Sequence, residues 1–179
     1  IMGNISLAKV FLDTTHKSYK PLTEAEKASS RAGELAHQLL TFARGGEPIK
    51  KVVSPKHLVQ EALSFTLHGS NIKAVVDIPD SIHAVDADEG QISQVFHNLI
   101  INASQAMPEG GKIIVTAENE TLADNNALSL QPGPYIRLTF GDQGCGISAN
   151  DLQRVFDPYF TTKSTGNGLG LASVHSIIN

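Results

Sequence analysis

Several common settings for a protein find little support in this chain. It has one cysteine, Cys145, which excludes an internal disulfide and suits a reducing, cytoplasmic compartment. No apolar run approaches membrane-spanning length and no signal peptide is evident, so any membrane anchor is expected in another part of a parent protein. Positive charge is scattered. The longest basic runs are pairs such as Lys50-Lys51, and the formal net charge is −4, which argues against the concentrated basic face that nucleic acid requires. Repeats and low-complexity tracts are missing as well. What remains is a globular composition, 41% hydrophobic and 18% charged over 179 residues, enough for one packed domain and a small appendage.

Two regions read differently. Ala25, Ala28, Ala32, Leu35, Leu39 and Phe42 alternate steps of three and four, the seam of a coiled-coil-like helix. Gly33 lies inside that helix and costs about 1 kcal/mol against alanine, so the helix relies on packing. Ile1, Ile5, Ala8 and Leu12 form a shorter seam, and Asp13 to Pro21 interrupts the pattern, which predicts a helical hairpin. Two such helices cannot bury their seams alone. A second copy of the chain, completing a four-helix bundle, is the expected partner; packing onto the chain's own second region is the other option. Gly45-Gly46-Glu47-Pro48 ends the helix and separates residues 1–46 from 47–179.

The second region alternates helices and strands. Ser54-Pro55 reads as an N-cap with proline at the first helical position, opening a helix to about Leu67. Strands are expected over Ile72–Ile78, Lys112–Ala117 and Tyr135–Phe140, with a polar loop from Asn119 to Pro134. Asp88 with Gln91 resembles a capping box for a long helix to about Met107, and a last helix starts near Leu169. The expected architecture is an α/β sandwich, with one sheet covered by helices.

Three stretches carry chemistry. On the helix from Asp88, Ile92, Val95, Phe96, Leu99, Ile100, Ala103 and Met107 share a core face, while Gln91, Gln94, Asn98, Asn102 and Gln105 share the adjoining stripe. An asparagine oxygen can ligate Mg²⁺ and its amide nitrogen can reach a phosphate; amides also cap buried loops. Gly141-Asp142-Gln143-Gly144-Cys145-Gly146 follows a strand. Its glycines let backbone approach a flat ligand and Asp142 can accept from an exocyclic amine, although a tight turn explains the pattern too. Gly166-Asn167-Gly168-Leu169-Gly170-Leu171 opens the last helix, where free N–H groups suit phosphate, with Lys163 just upstream. The P-loop pattern Gly-x-x-x-x-Gly-Lys-Ser/Thr is not present. Phe156 to Lys163 places aromatics in the intervening loop, either anchoring it or forming a lid.

These stretches, in this order, resemble the N box, first glycine box, F box and second glycine box of sensor histidine kinases of nitrogen-regulation or hybrid type. The N box here is Asn98-Leu99-Ile100-Ile101-Asn102-Ala103, and Ala25–Arg44 resembles the second helix of the kinase dimerisation hairpin. The resemblance implies an α+β chain: a partial dimerisation and histidine-phosphotransfer hairpin over 1–46, then a GHKL-type ATP-binding domain over 47–179 with its last strands missing. It implies an ATP- and Mg²⁺-dependent protein histidine kinase, a homodimer whose cognate partner is a response-regulator receiver domain. Asn102 would hold Mg²⁺, Asn98 would support the phosphates, and Asp142 would bind the adenine amine with Gly144 and Gly146 against the ring. Gly166, Gly168, Leu169, Gly170 and Leu171 would shape the lid and phosphate site with Phe156, and Lys163 would lie near the γ-phosphate. Asn98 and Lys163 are the positions implied to act in catalysis.

Two departures matter. None of the seven histidines has the acceptor motif around it, so the acceptor is expected upstream and the chain is not expected to phosphorylate itself. The family also continues past the final helix into further strands, and this sequence stops at Asn179. Gyrase-, mismatch-repair- and heat-shock-type ATPases share the nucleotide fold but place a general-base glutamate where Asn98 stands, which favours phosphoryl transfer over hydrolysis. A non-catalytic, nucleotide-gated dimerisation or phosphatase module is the remaining alternative. Cys145 is read as small filler.

Overall fold

A computed structural model describes residues 2–13, 15–26, 28–29, 48–163 and 166–179. The chain divides into two compact units, Ile1–Glu47 and Pro48–Asn179.

In the first unit, helix α1 (Met2–Val10) is followed by turns and by a second helical stretch over residues 19–26. That stretch starts ahead of Pro21, not after it as the sequence suggested. A first-turn residue has no intrahelical partner for its N–H, so proline costs little there. Lys9 Nζ reaches Glu26 Oε2 at 2.7 Å and lies over the Tyr19 ring, tying the two helical stretches together. Ile5, Ala8 and Leu12 are half-buried, whereas Leu7, Val10, Phe11, Ala25 and Ala28 are exposed. Gly33, His37 and the seam positions Ala32, Leu35, Leu39 and Phe42 lie outside the described residues.

The second unit is built on two helices whose caps were readable. Ser54 Oγ accepts from His57 N at the start of α2 (Pro55–Thr66), which buries Leu58, Val59, Ala62 and Leu63. Asp88 Oδ1 accepts from Gln91 N at 3.0 Å and opens α3 (Glu89–Ala106). Its second oxygen accepts from Ile49 N at 3.0 Å, so one carboxylate caps the helix and also secures the strand approach. The expected core face is the observed one: Val95, Phe96, Ile100, Ala103 and Met107 are buried, with Ile92 and Leu99 packed beside them.

Strands β2 (Ile72–Asp77), β4 (Gly111–Leu122) and β5 (Gly133–Asp142) form a mixed sheet in the order β2-β4-β5. β2 runs parallel to β4 from Ile72↔Gly111 to Asp77↔Thr116, and β4 runs antiparallel to β5 from Ile113↔Asp142 to Leu122↔Gly133. One face of β4 packs inward through Ile113, Val115 and Ala117, and Phe140 stacks on Phe96 of α3. Helix α3 packs between α2 and the last helix, α4 (Gly170–Ile178).

Two expectations need correction. There are two sheets, because β1 (Lys51–Val53) and β3 (Val85–Ala87) pair antiparallel as a separate ribbon. Strands of three residues are too short to show an alternation. The loop expected over Asn119–Pro134 is also shorter: Asn119–Leu122 and Gly133-Pro134 belong to the β4–β5 hairpin. Their polar residues face solvent, where Arg137 pairs with Glu118 and Glu120 across the strands.

Candidate functional site

Helix α3 supplies the base of the site. Its apolar period fixes where the amides point: burying Ile100 and Ala103 turns Asn98, Asn102 and Gln105 onto the adjoining stripe. Asn98 is only 8% exposed, and its Nδ2 is buried without a hydrogen-bond partner. An orphaned donor costs about 1–3 kcal/mol, and a native fold tolerates one most readily where a ligand satisfies it.

Strand β5 delivers Asp142 to the C-terminal end of that helix. Gly144 N donates to Asp142 Oδ1 at 2.8 Å, and Cys145 N donates to Ala106 O at 3.4 Å. A β-carbon on Gly144 would stand 2.5 Å from Ala106 Cβ, so only glycine allows this approach of loop to helix. Gly146 has φ +72° and faces open space.

The second glycine cluster closes the other side. Gly168 has φ +66°, and a side chain there would run into the Tyr159–Phe160 backbone, where Tyr159 N donates to Gly168 O at 2.9 Å. A β-carbon on Gly166 would meet Thr161 Oγ1 at 2.5 Å. Gly170 begins α4 directly against the amides: its missing β-carbon would sit 3.5 Å from Asn102 Nδ2 and 4.0 Å from Asn98 Oδ1. Leu169, the N-cap residue, gives no side-chain cap bond and is itself buried, while Leu171 is half-buried. The N–H groups of the helix's first turn therefore lack a side-chain acceptor at the cap.

Lys163 connects the loop to the helix. Its Nζ donates to Asn102 Oδ1 at 3.2 Å and to Gln105 Oε1 at 2.9 Å. Burial holds the Lys163 pKa below the usual lysine value, with the nearby Cys145 and Asp142 acting in the opposite direction. Asn98, Asn102, Gly170 and Lys163 thus converge, with Asp142 at the neighbouring edge. Phe156 is 47% exposed and its ring lies 5.1 Å from that of His175 on α4, while Phe160 lies under Arg154. His97 faces away, with Nδ1 on Ser93 O and its ring edge-on to Phe65. Sequence reasoning saw Gln105 as one more amide of the stripe but not as a partner of Lys163. A contact spanning the whole first glycine cluster leaves no local signal.

The donor set limits what a metal can do here. Among the described residues no group of three or more His, Cys, Asp or Glu side chains is placed to hold a metal ion. A divalent cation held at Asn102 would need most of its oxygen ligands from phosphates and water, which is how Mg²⁺ commonly enters nucleotide sites. The neutral amide oxygens fit that arrangement.

Residues 87–179, which contain every glycine and amide just described, match the family of histidine kinase-, DNA gyrase B-, and HSP90-like ATPases. The chain belongs to this family. Within it, the chain is 33% identical over 189 residues to the sensor kinase CckA of Brucella abortus (strain 2308), covering 99% of this chain and 20% of that protein. It is 31% identical over 203 residues to the sensor histidine kinase ZraS of Escherichia coli (strain K12), covering 97% and 41%. The chain therefore spans less than half the length of these relatives. The crystal structure of full-length ShkA in complex with AMPPNP shares the fold, with a TM-score of 0.69 at 21% identity over 98% of this chain and 37% of that one. The family's ATP-binding α/β architecture accounts for residues 87–179.

Proposed function

We propose that this chain is the core of an ATP-dependent protein histidine kinase in a two-component system. The observation that carries this reading is the convergence of Asn98 and Asn102 on Gly170, at the start of a helix without a side-chain cap. Asn98 occupies the place where a hydrolase of this fold would need a carboxylate base, and a carboxamide cannot take a proton from water. That favours transfer of the γ-phosphoryl to a histidine over hydrolysis.

Each group then has a role. Asp142 accepts from the adenine amine through the oxygen not already used by Gly144. The backbone at Gly144 and Gly146, bare of side chains, receives the ring. First-turn N–H groups of Gly170 and Leu171, with the Asn98 amide, face phosphate oxygens. Asn102 offers its oxygen to Mg²⁺, which when bound neutralises phosphate charge. Lys163 adds a positive charge for the γ-phosphate, on a loop shaped by Phe156, Gly166, Gly168 and Leu169.

The acceptor in this reading is not one of the seven histidines of the chain. His97 is committed to Ser93 and Phe65, and His57 pairs with Glu61 one helical turn away. Residues 1–46 are the dimerisation hairpin and 47–179 the catalytic domain. Exposed Leu7, Val10 and Phe11 give a second copy an apolar surface, and a response-regulator receiver aspartate is the final phosphate acceptor.

Asn102→Ala tests the metal site. By calorimetry it should weaken ATP–Mg²⁺ binding far more than binding of metal-free ADP. Equal losses for both ligands would remove Asn102 from that role.

A further inference from the structure

We infer that Gln105 is a positioning residue: it holds the Lys163 ammonium on the Asn102 oxygen, so that the chain's own cation fills the divalent-cation position until nucleotide draws it away. This rests on the reading of Asn102 and Lys163 given above.

The geometry is specific. Asn102 and Gln105 are three residues apart on α3, so their side chains are neighbours, and Lys163 donates to both at 3.2 and 2.9 Å. No ion pair of Lys163 with a carboxylate occurs among the described residues, so two neutral amide oxygens do the work of water around the ammonium. Hard oxygen donors of that kind also suit a divalent cation. An ammonium and a metal cannot share the Asn102 oxygen, because like charges at that separation repel strongly in a partly buried site. Arrival of the metal–nucleotide and departure of Lys163 are therefore one exchange.

Gln105 differs from Asn102 in what it does across that exchange. Asn102 serves both states, holding the ammonium before and the metal after. Gln105 serves only the first, since it accepts from Lys163 and lies on the exposed part of the stripe. A contact made in one state alone shifts the balance toward that state. Gln105 therefore sets how firmly residues 157–163, joined to Gly168 by the Tyr159–Gly168 hydrogen bond, are held against α3 without nucleotide.

The test uses the whole chain with Gln105→Leu and Gln105→Glu, read by hydrogen exchange and by calorimetry with a non-hydrolysable ATP analogue and Mg²⁺. Without nucleotide, Gln105→Leu should speed exchange in residues 157–163 several-fold while the amides of α3 stay unchanged. Its affinity for the Mg²⁺-bound analogue should rise about two- to tenfold, the size of one net hydrogen bond. Gln105→Glu should shift both readouts the other way, because a carboxylate holds an ammonium more tightly. Unchanged exchange near Lys163 in both variants overturns the inference, as does faster exchange throughout α3, which would mark a structural role. Lower affinity in Gln105→Leu would instead place Gln105 on the nucleotide and also overturn it. If the unmodified chain does not bind the analogue, the nucleotide reading fails separately, and exchange near Lys163 still decides whether Gln105 holds the lysine.

Discussion

The two sides of the site are made by different physics. Helix α3 and strand β4 form the base, with Ile100, Ile113 and Val115 fully buried. The described residues 143–163 and 166–168 form the cover, with Ile147, Leu152, Phe156 and Tyr159 at 47–71% exposure and hydrogen bonds that are mostly local turns. The base draws its stability from the core. Glycines, Lys163, the Cys145 N–Ala106 O bond and the Phe156–His175 ring contact help to place the cover, and the difference separates folding from binding: substitutions in the base should register as stability, and those in the cover and along its edge as affinity.

Ile100→Ala should have the largest effect. Truncating a fully buried isoleucine leaves a cavity and costs about 2–5 kcal/mol. Urea unfolding should show that loss, while the molecules still folded bind ATP as before. An affinity loss exceeding the stability loss would break the division between base and cover.

Asp142→Ala comes next and should act oppositely. Leaving the adenine amine unpaired costs about 1–3 kcal/mol of ATP binding. The melting temperature should barely move, because Asp142 is exposed. Equal ATP and GTP affinities in the unmodified chain, or no change in the variant, would take adenine recognition away from this residue.

Asp88→Ala sharpens the comparison from within the base, with the smallest effect. Loss of an N-cap costs about 1 kcal/mol. The Asp88 carboxyl is held below the usual carboxylate range, chiefly by the Gln91 N–H and also by that of Ile49. A lowered folded pKa means that the cap's contribution is complete above the ordinary carboxylate pKa and fades as pH falls through the lowered value. The stability gap between the unmodified chain and Asp88→Ala should therefore shrink on acidification. A gap constant down to strongly acidic pH would show that Asp88 stabilises through something other than its charge.

Legibility in the sequence followed the same line. The period of Val95, Phe96, Ile100 and Ala103 is strong enough to orient α3, and with it the amide stripe. Ser54 and Asp88 announced their caps because a cap is a local chemical event. The β1–β3 ribbon was hidden by its length, and the far end of β4 by its wet face, which reads as loop. The Lys163–Gln105 contact was hidden for a third reason: it is tertiary, and each residue alone looks like ordinary surface. The glycine clusters were visible, but only the structure shows that Gly144 yields to Ala106 and Gly168 to the backbone of Tyr159.

The parallel pairing of β2 with β4 has a consequence for the order in which the molecule assembles. Parallel neighbours cannot be joined by a tight turn, and here the chain between Asp77 and Gly111 passes through β3 and the whole of α3 before it returns. Closing that excursion costs loop entropy, which the helix lessens by shortening the path, so the β2–β4 pairing is expected to form after α3. The sheet and the helix bearing Asn98 and Asn102 share one core, through Ile113, Val115, Ile100 and Ala103. Topology thus ties the amide stripe to the sheet, because the connection between two neighbouring parallel strands is the helix that carries it.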